Sequence, residues 1–213
     1  MDSSTKTQSE GLFERFLRDN RLQFEKIKED VSPRPDYVVS IGKLKVVFEL
    51  KELAEDESFG VIRDPAHPHI RSHSRTLGDH IRRRMGASKK QIQYGAKQGI
   101  PSILLLYNKL DSTFQRFGTE DMDFIAAMYG EFFLRIEHET RRTSDLLNGR
   151  KRLLQENKNT SFSALGRLCD RGGVITVTLF ENAYSKVKVP YEQLPPCFEV
   201  KRIKVSREPL TEQ

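Results

Sequence analysis

What the 213-residue chain lacks narrows its class first. It has no tryptophan, only two cysteines, and nothing near the roughly 20 consecutive apolar residues that cross a bilayer. A membrane-spanning helix is therefore not expected; the apolar run at 103–107 is strand-sized. Cys169 and Cys197 stand far apart and form no CxxC pair, which removes a disulfide-stapled mini-domain and a cysteine metal site and leaves reduced, structural thiols. Residues 1–10 carry a single lysine and no apolar centre, so no signal peptide is read there and a cytoplasmic chain is expected. A large excess of one charge is also missing. With 36 Lys and Arg against 30 Asp and Glu the net charge is +6, short of ribosomal-type density but enough to favour a polyanionic partner.

What is present suits a core. Hydrophobic residues make up 37%, including 13 Phe and 6 Tyr, which argues against wholesale disorder and for a single domain over residues 9–213 behind a disordered lead-in at 1–8. Leu12, Phe13, Phe16 and Leu17 fall at helical spacing, with Ser9 as the expected cap and an end near Asn20. Residues 22–27 read as a short strand, and the Pro33-Arg34-Pro35 run breaks regular structure. Residues 37–41 and 44–50 form a hairpin around Gly42-Lys43. A long charged loop is expected from 52 to 74, then one basic helix over 76–97, stopped by Gly99 and Pro101, and a buried strand at 102–107. The order of helices and strands predicts an α/β layer fold with helices packed on a sheet. Beyond it, residues 109–213 read as a C-terminal α+β extension: a helix at 121–129, strands at 131–136, 174–180 and 198–205, and a short helix at 161–168.

The segment that carries chemistry is Pro35-Asp36, the hairpin, and Glu49-Leu50-Lys51. Alternation along a strand puts Glu49 and Lys51 on one face, and the hairpin partner brings Asp36 to the same end. Two carboxylates can hold Mg²⁺ or Mn²⁺, ions that prefer oxygen ligands and keep several waters. Such an ion withdraws charge from a phosphodiester and acidifies water, while a neighbouring lysine orients that water or offsets charge on phosphorus.

Asp36, twelve intervening residues and Glu49-x-Lys51, with a proline before the aspartate, resemble the signature of the PD-(D/E)xK nuclease superfamily. The stretch Gly11-Leu12-Phe13-Glu14-Arg15-Phe16-Leu17 resembles its first helix, with Glu14 the better match to its metal-contacting glutamate and Glu10 the second. The resemblance covers residues 9–108. It implies a restriction-endonuclease-like core, a central mixed β-sheet flanked by helices. It also implies metal ligation by Glu14, Asp36, Glu49 and the Leu50 backbone carbonyl, with Lys51 serving the attacking water. Gln91 is carried over as a catalytic residue and Lys90 as its alternate, since Gln91 and Tyr94 stand one residue short of the Gln-x-x-x-Tyr pair of some members. The activity implied is Mg²⁺- or Mn²⁺-dependent hydrolysis of nucleic acid, DNA before RNA. The alternative is a non-catalytic nucleic-acid-binding protein that keeps the fold. Double-strand cleavage would call for a homodimer.

The bland alternatives are a turn residue at Asp36 and a solvated edge face for Glu49 and Lys51; the agreement of spacing, apolar strands and flanking helices outweighs them. Arg83, Arg84, Lys89 and Lys90 lie on the helix beside this site and are expected to meet phosphates, whereas alone each cluster would read as a solvated face. His67, His69, His73 and His80 match no structural zinc spacing and read as a polar loop. Phe132, Phe133 and Phe180 read as strand core.

Overall fold

The computed structural model describes residues 6–28, 32–54, 59–63, 65–67, 71–110, 116–144, 147–203 and 205, with backbone alone at 59–63 and 71–74. The fold is mixed α/β. Helix α1 (Gln8–Asp19) leads into β1 (Gln23–Lys26), β2 (Tyr37–Ile41) and β3 (Leu44–Leu53). A separate hairpin, β4 (Phe59–Arg63) and β5 (Arg71–Arg75), precedes α2 (Asp79–Ala87), α3 (Lys89–Lys97) and β6 (Ser102–Asn108). Helix α4 (Asp121–Tyr129) and the short strands β7 (Phe132–Phe133) and β8 (Leu147–Asn148) follow, then β9 (Ala164–Arg171), β10 (Val174–Glu181) and β11 (Phe198–Lys201). The central sheet has seven strands in the order β1-β2-β3-β6-β9-β10-β11. The β1–β2–β3 meander is antiparallel, β3, β6 and β9 run parallel, β10 is antiparallel to β9, and β11 is parallel to β10.

Each sheet face is covered by helices, for a reason visible in β6, which is buried along its whole length. Ile103, Leu105 and Tyr107 point to one face and Leu104 and Leu106 to the other, the period-2 alternation of a strand with two apolar sides. On the first face α1 inserts Phe13, Phe16 and Leu17. Phe13 packs 5.0 Å from the Phe48 ring and Phe16 5.3 Å from Phe198, centroid to centroid. On the second face Ile81, Met85, Ile92 and Phe124 cover Leu104, Leu106, Leu165 and Phe180, with Phe124 stacked 4.2 Å from Phe180. Gly95 lets α3 approach β3 closely: a Cβ there would lie 2.5 Å from both Ser102 Oγ and Val47 Cγ2.

Several sequence expectations are corrected. Thr7, not Ser9, caps α1, because its backbone and hydroxyl close a capping box with Glu10. The lead-in expected at 1–8 lies outside the described residues up to residue 5, and Gln8 already opens the helix. The loop at 52–74 contains the β4–β5 hairpin. The single helix at 76–97 is two, divided at Ser88. The strand at 131–136 shrinks to β7 and an isolated Ile136–Thr143 bridge. The helix at 161–168 is instead the start of β9, where pairing on both sides with β6 and β10 overrides the helical preference of Ala and Leu. Among the described residues no helix is long and apolar enough to cross a membrane.

Candidate active site

The hairpin register fixes the site. Tyr37 pairs with Phe48, so Asp36 falls opposite Glu49 at the mouth of the β2–β3 ladder, and its backbone N–H still donates to the Phe48 carbonyl at 3.0 Å. Tyr37 and Phe48 point into the α1 side, so alternation turns Asp36, Glu49 and Lys51 together toward α3. Leu50 donates its N–H to Asp36 Oδ2 at 2.6 Å. Because N–H and C=O of one strand residue point to the same side, the Leu50 carbonyl is also aimed past the end of β2, beside Asp36.

These groups floor a cleft of about 220 Å³. Gln91 of α3 forms one wall, and the segment 32–35 with Ile27 and Lys28 forms the other. Glu49 is 1% exposed, and Lys51 Nζ sits 2.6 Å from its Oε1. Burial, and next the Asp36 charge, push the Glu49 carboxyl up to about 7; burial likewise raises Asp36, against the Leu50 N–H and the Lys51 charge. Among the described residues, Glu49 Oε2 and Gln91 Oε1 are both buried without a hydrogen-bond partner. Two unmet acceptors in one acid-lined cleft are costly unless a cation or a donor completes them.

A divalent ion fits this donor set. Mg²⁺ typically takes one or two carboxylates and keeps several waters, and Asp36, Glu49 and the Leu50 carbonyl are the oxygen donors on hand. Among the described residues no group of three or more His, Cys, Asp or Glu comes together, so Asp36 and Glu49 would give such an ion only part of its shell.

The remaining expected residues are spread more widely. Glu14 is buried on α1 and does not line the cleft; it accepts from the Tyr37 hydroxyl at 3.0 Å and pairs with Lys6 at 2.7 Å and with Arg18 at 2.5 Å. Glu10 pairs with Lys26 at 2.6 Å, and both charges are felt by Asp36. Arg83, Lys89 and Lys90 are exposed and Arg84 half-buried, and none of the four lines the cleft. Arg82, their neighbour, turns inward to the Ala126 carbonyl at 2.6 Å. His69 lies outside the described residues. His80 is not in a loop but buried on α2, its Nε2 against the Gly118 carbonyl, because the α2–α4 packing encloses that turn. Phe180 is core, whereas Phe132 and Phe133 are half-buried in a two-residue strand outside the main sheet.

Sequence reasoning missed Arg34 and the Ser32–Pro33 wall; the signal available was the proline-bracketed arginine leading directly into Asp36. Comparison with known proteins adds no relative: no family model, no curated protein and no solved structure matches the chain.

Proposed function

We propose that the chain is a divalent-metal-dependent nuclease, hydrolysing phosphodiester bonds in DNA before RNA, on a restriction-endonuclease-like core of the PD-(D/E)xK type. The observation that carries this reading is the convergence of Asp36, Glu49 and Lys51 in one cleft, with Glu49 Oε2 left without a partner among the described residues. The element order α1, β1–β3, α2–α3, β6, with β3 and β6 parallel, supports it as the arrangement that the motif implies.

Asp36 and Glu49, with the Leu50 carbonyl, would hold Mg²⁺ or Mn²⁺. When bound, the ion supplies positive charge against the phosphodiester and acidifies water. Lys51, anchored on Glu49, presents its remaining ammonium hydrogens to the attacking water or a phosphate oxygen and offsets charge that develops on phosphorus. Gln91 orients water or substrate from the opposite wall. Glu14 acts at one remove, as a positioning residue: it fixes the Tyr37 hydroxyl, and Tyr37 follows Asp36 in the chain.

The test is cleavage of single- and double-stranded DNA and of RNA with Mg²⁺ or Mn²⁺. Hydrolysis that EDTA stops is expected, lowered at least about 100-fold by Lys51→Ala. If no nucleic acid is cut with either ion and Lys51→Ala changes nothing, the enzymatic reading fails. Calorimetric Mn²⁺ uptake that Asp36→Asn abolishes separates the enzyme from a non-catalytic binder.

A further inference from the structure

The catalytic cleft does not end at Gln91. A second hollow, about 460 Å³, opens beside it, and Ser32 and Pro33 line both. Its other side is the outer face of α3, where Lys90, Tyr94 and Lys97 recur at i, i+4 and i+7 and so form one row. The row faces away from Ile92 and Gly95, the residues that α3 buries. Both lysines are exposed and Tyr94 is half-buried, and among the described residues no carboxylate lines this hollow. Arg34 bridges the two spaces: it lines the catalytic cleft, and its guanidinium stands over the Tyr94 ring at 5.8 Å from the centroid.

We propose that this groove is the path of a single nucleic-acid strand leaving the scissile position, so that the preferred substrate carries unpaired nucleotides there. The inference rests on the nuclease reading and adds the substrate form to it. Three chemical features point to a strand. Lys90 and Lys97, separated by about 10 Å along the helix axis, supply cations for the phosphates of a strand, with no acid beside them among the described lining residues. Tyr94 offers an aromatic surface between them, and a base reaches such a surface only when it is unstacked from a duplex. Arg34 pairs a cation with that ring, so phosphate and base can be met together at the crossing from cleft to groove. An acidic peptide would satisfy the lysines but would gain nothing specific from the ring; it is an outcome of the test.

The experiment is fluorescence anisotropy with labelled oligothymidylate, a blunt duplex of equal length and an oligoglutamate peptide, in EDTA so that nothing is cut. Tyr94→Leu is expected to weaken oligothymidylate binding about five-fold or more, with duplex binding little changed, and Tyr94→Phe is expected to bind as the parent does. Lys90→Ala and Lys97→Ala are each expected to reduce the slope of log K against log salt by about 0.7, the loss of one single-strand phosphate contact. Circular dichroism of each variant separates lost binding from lost folding. The path is overturned if Tyr94→Leu leaves oligothymidylate affinity unchanged, if it weakens strand and duplex equally, or if the peptide binds as tightly as the oligonucleotide. Cleavage is scored separately with Mn²⁺. Parent protein that shows these dependencies but cuts nothing sinks the nuclease reading and leaves the path, while active protein with unchanged Tyr94→Leu binding sinks the path alone.

Discussion

Two polar clusters sit on the same face of the sheet, and they are built to opposite ends. In register, Lys51 pairs with Leu106, Leu106 with Arg167 and Arg167 with Thr178, which puts the two clusters about 10 Å apart, two strand spacings. Around the N-terminus of α4 nearly every group is answered. Asp123, fully buried, accepts from the Gly78 N–H at 3.2 Å, the Glu120 N–H at 3.2 Å and Arg75 at 2.8 Å. Arg167 donates to the Thr119 carbonyl and to Asp121, which Lys201 also meets. Arg75 Nε alone lacks a partner there among the described residues, and the guanidinium covers the Phe117 ring at 4.4 Å. In the Asp36–Glu49 cleft, by contrast, two carboxyls face each other with Lys51 on one of them, and among the described residues two acceptors stay unmet. The first cluster holds α4 to the sheet. The second holds both carboxyls above their ordinary range, the mark by which a candidate functional site is recognised.

The contrast can be broken by exchanging effects. Asp123→Ala is expected to destabilise the fold by about 3 kcal/mol, because it takes the acceptor from the Gly78 and Glu120 N–H groups and leaves half-buried Arg75 with Glu120 alone. Lys51→Ala, at a side chain 31% exposed whose buried partner Glu49 can take up a proton in its place, is expected to cost less stability than Asp123→Ala while it lowers activity at least about 100-fold. Comparable losses of stability in both variants, by denaturant titration, would erase the distinction.

Packing between the regions comes next. Gly95→Ala is expected to cost about 2 kcal/mol, since neither the Val47 nor the Ser102 side chain has room for the added Cβ, and to displace Gln91 along with α3. A loss of activity larger than the loss of folded protein, measured well below the melting temperature, reports that displacement.

The smallest effect has the sharpest sign. Glu49 titrates near 7 in the fold, above the ordinary 4.5. The folded state therefore binds the proton more tightly, and stability falls as pH rises from about 4.5 to about 7. In EDTA, Glu49→Gln is expected to match the parent near pH 4 and to exceed it at pH 8 by on the order of 2 kcal/mol. Added Mn²⁺ is expected to reverse that order at pH 8, because only the parent gains from the ion. Chemical denaturation at the two pH values checks both signs.

How legible this was from sequence followed the range of the forces. The β2–β3 hairpin, α1, β6 and α4 were readable because a local pattern and a turn or cap specify each of them, and the placement of Asp36 opposite Glu49 follows from that hairpin alone. The β9 strand was not readable. Ala164, Leu165 and Leu168 carry helical preference, and Gly166, where a Cβ would lie 2.7 Å from Leu105 Cδ1, has meaning only once β6 lies alongside. The β5 strand is polar throughout and offers no apolar alternation. Asp121 and Arg167 look like solvated charges in sequence, and only the contact between α4 and distant β9 makes them partners. Tyr94 was noticed for its spacing to Gln91, while its role in the groove depends on where residues 32–34 cross the helix.

Pro33 and Pro35 bracket Arg34 and withhold two amide hydrogens from the stretch that enters β2. Such a stretch cannot lengthen the ladder with β3, so the sheet stops at Asp36 and leaves the carboxylates at an open rim instead of beneath another rung. Fixed torsions at both prolines also mean that this rim has little conformational freedom even before the chain folds. An incoming strand therefore meets a shaped threshold and has little ordering left to impose.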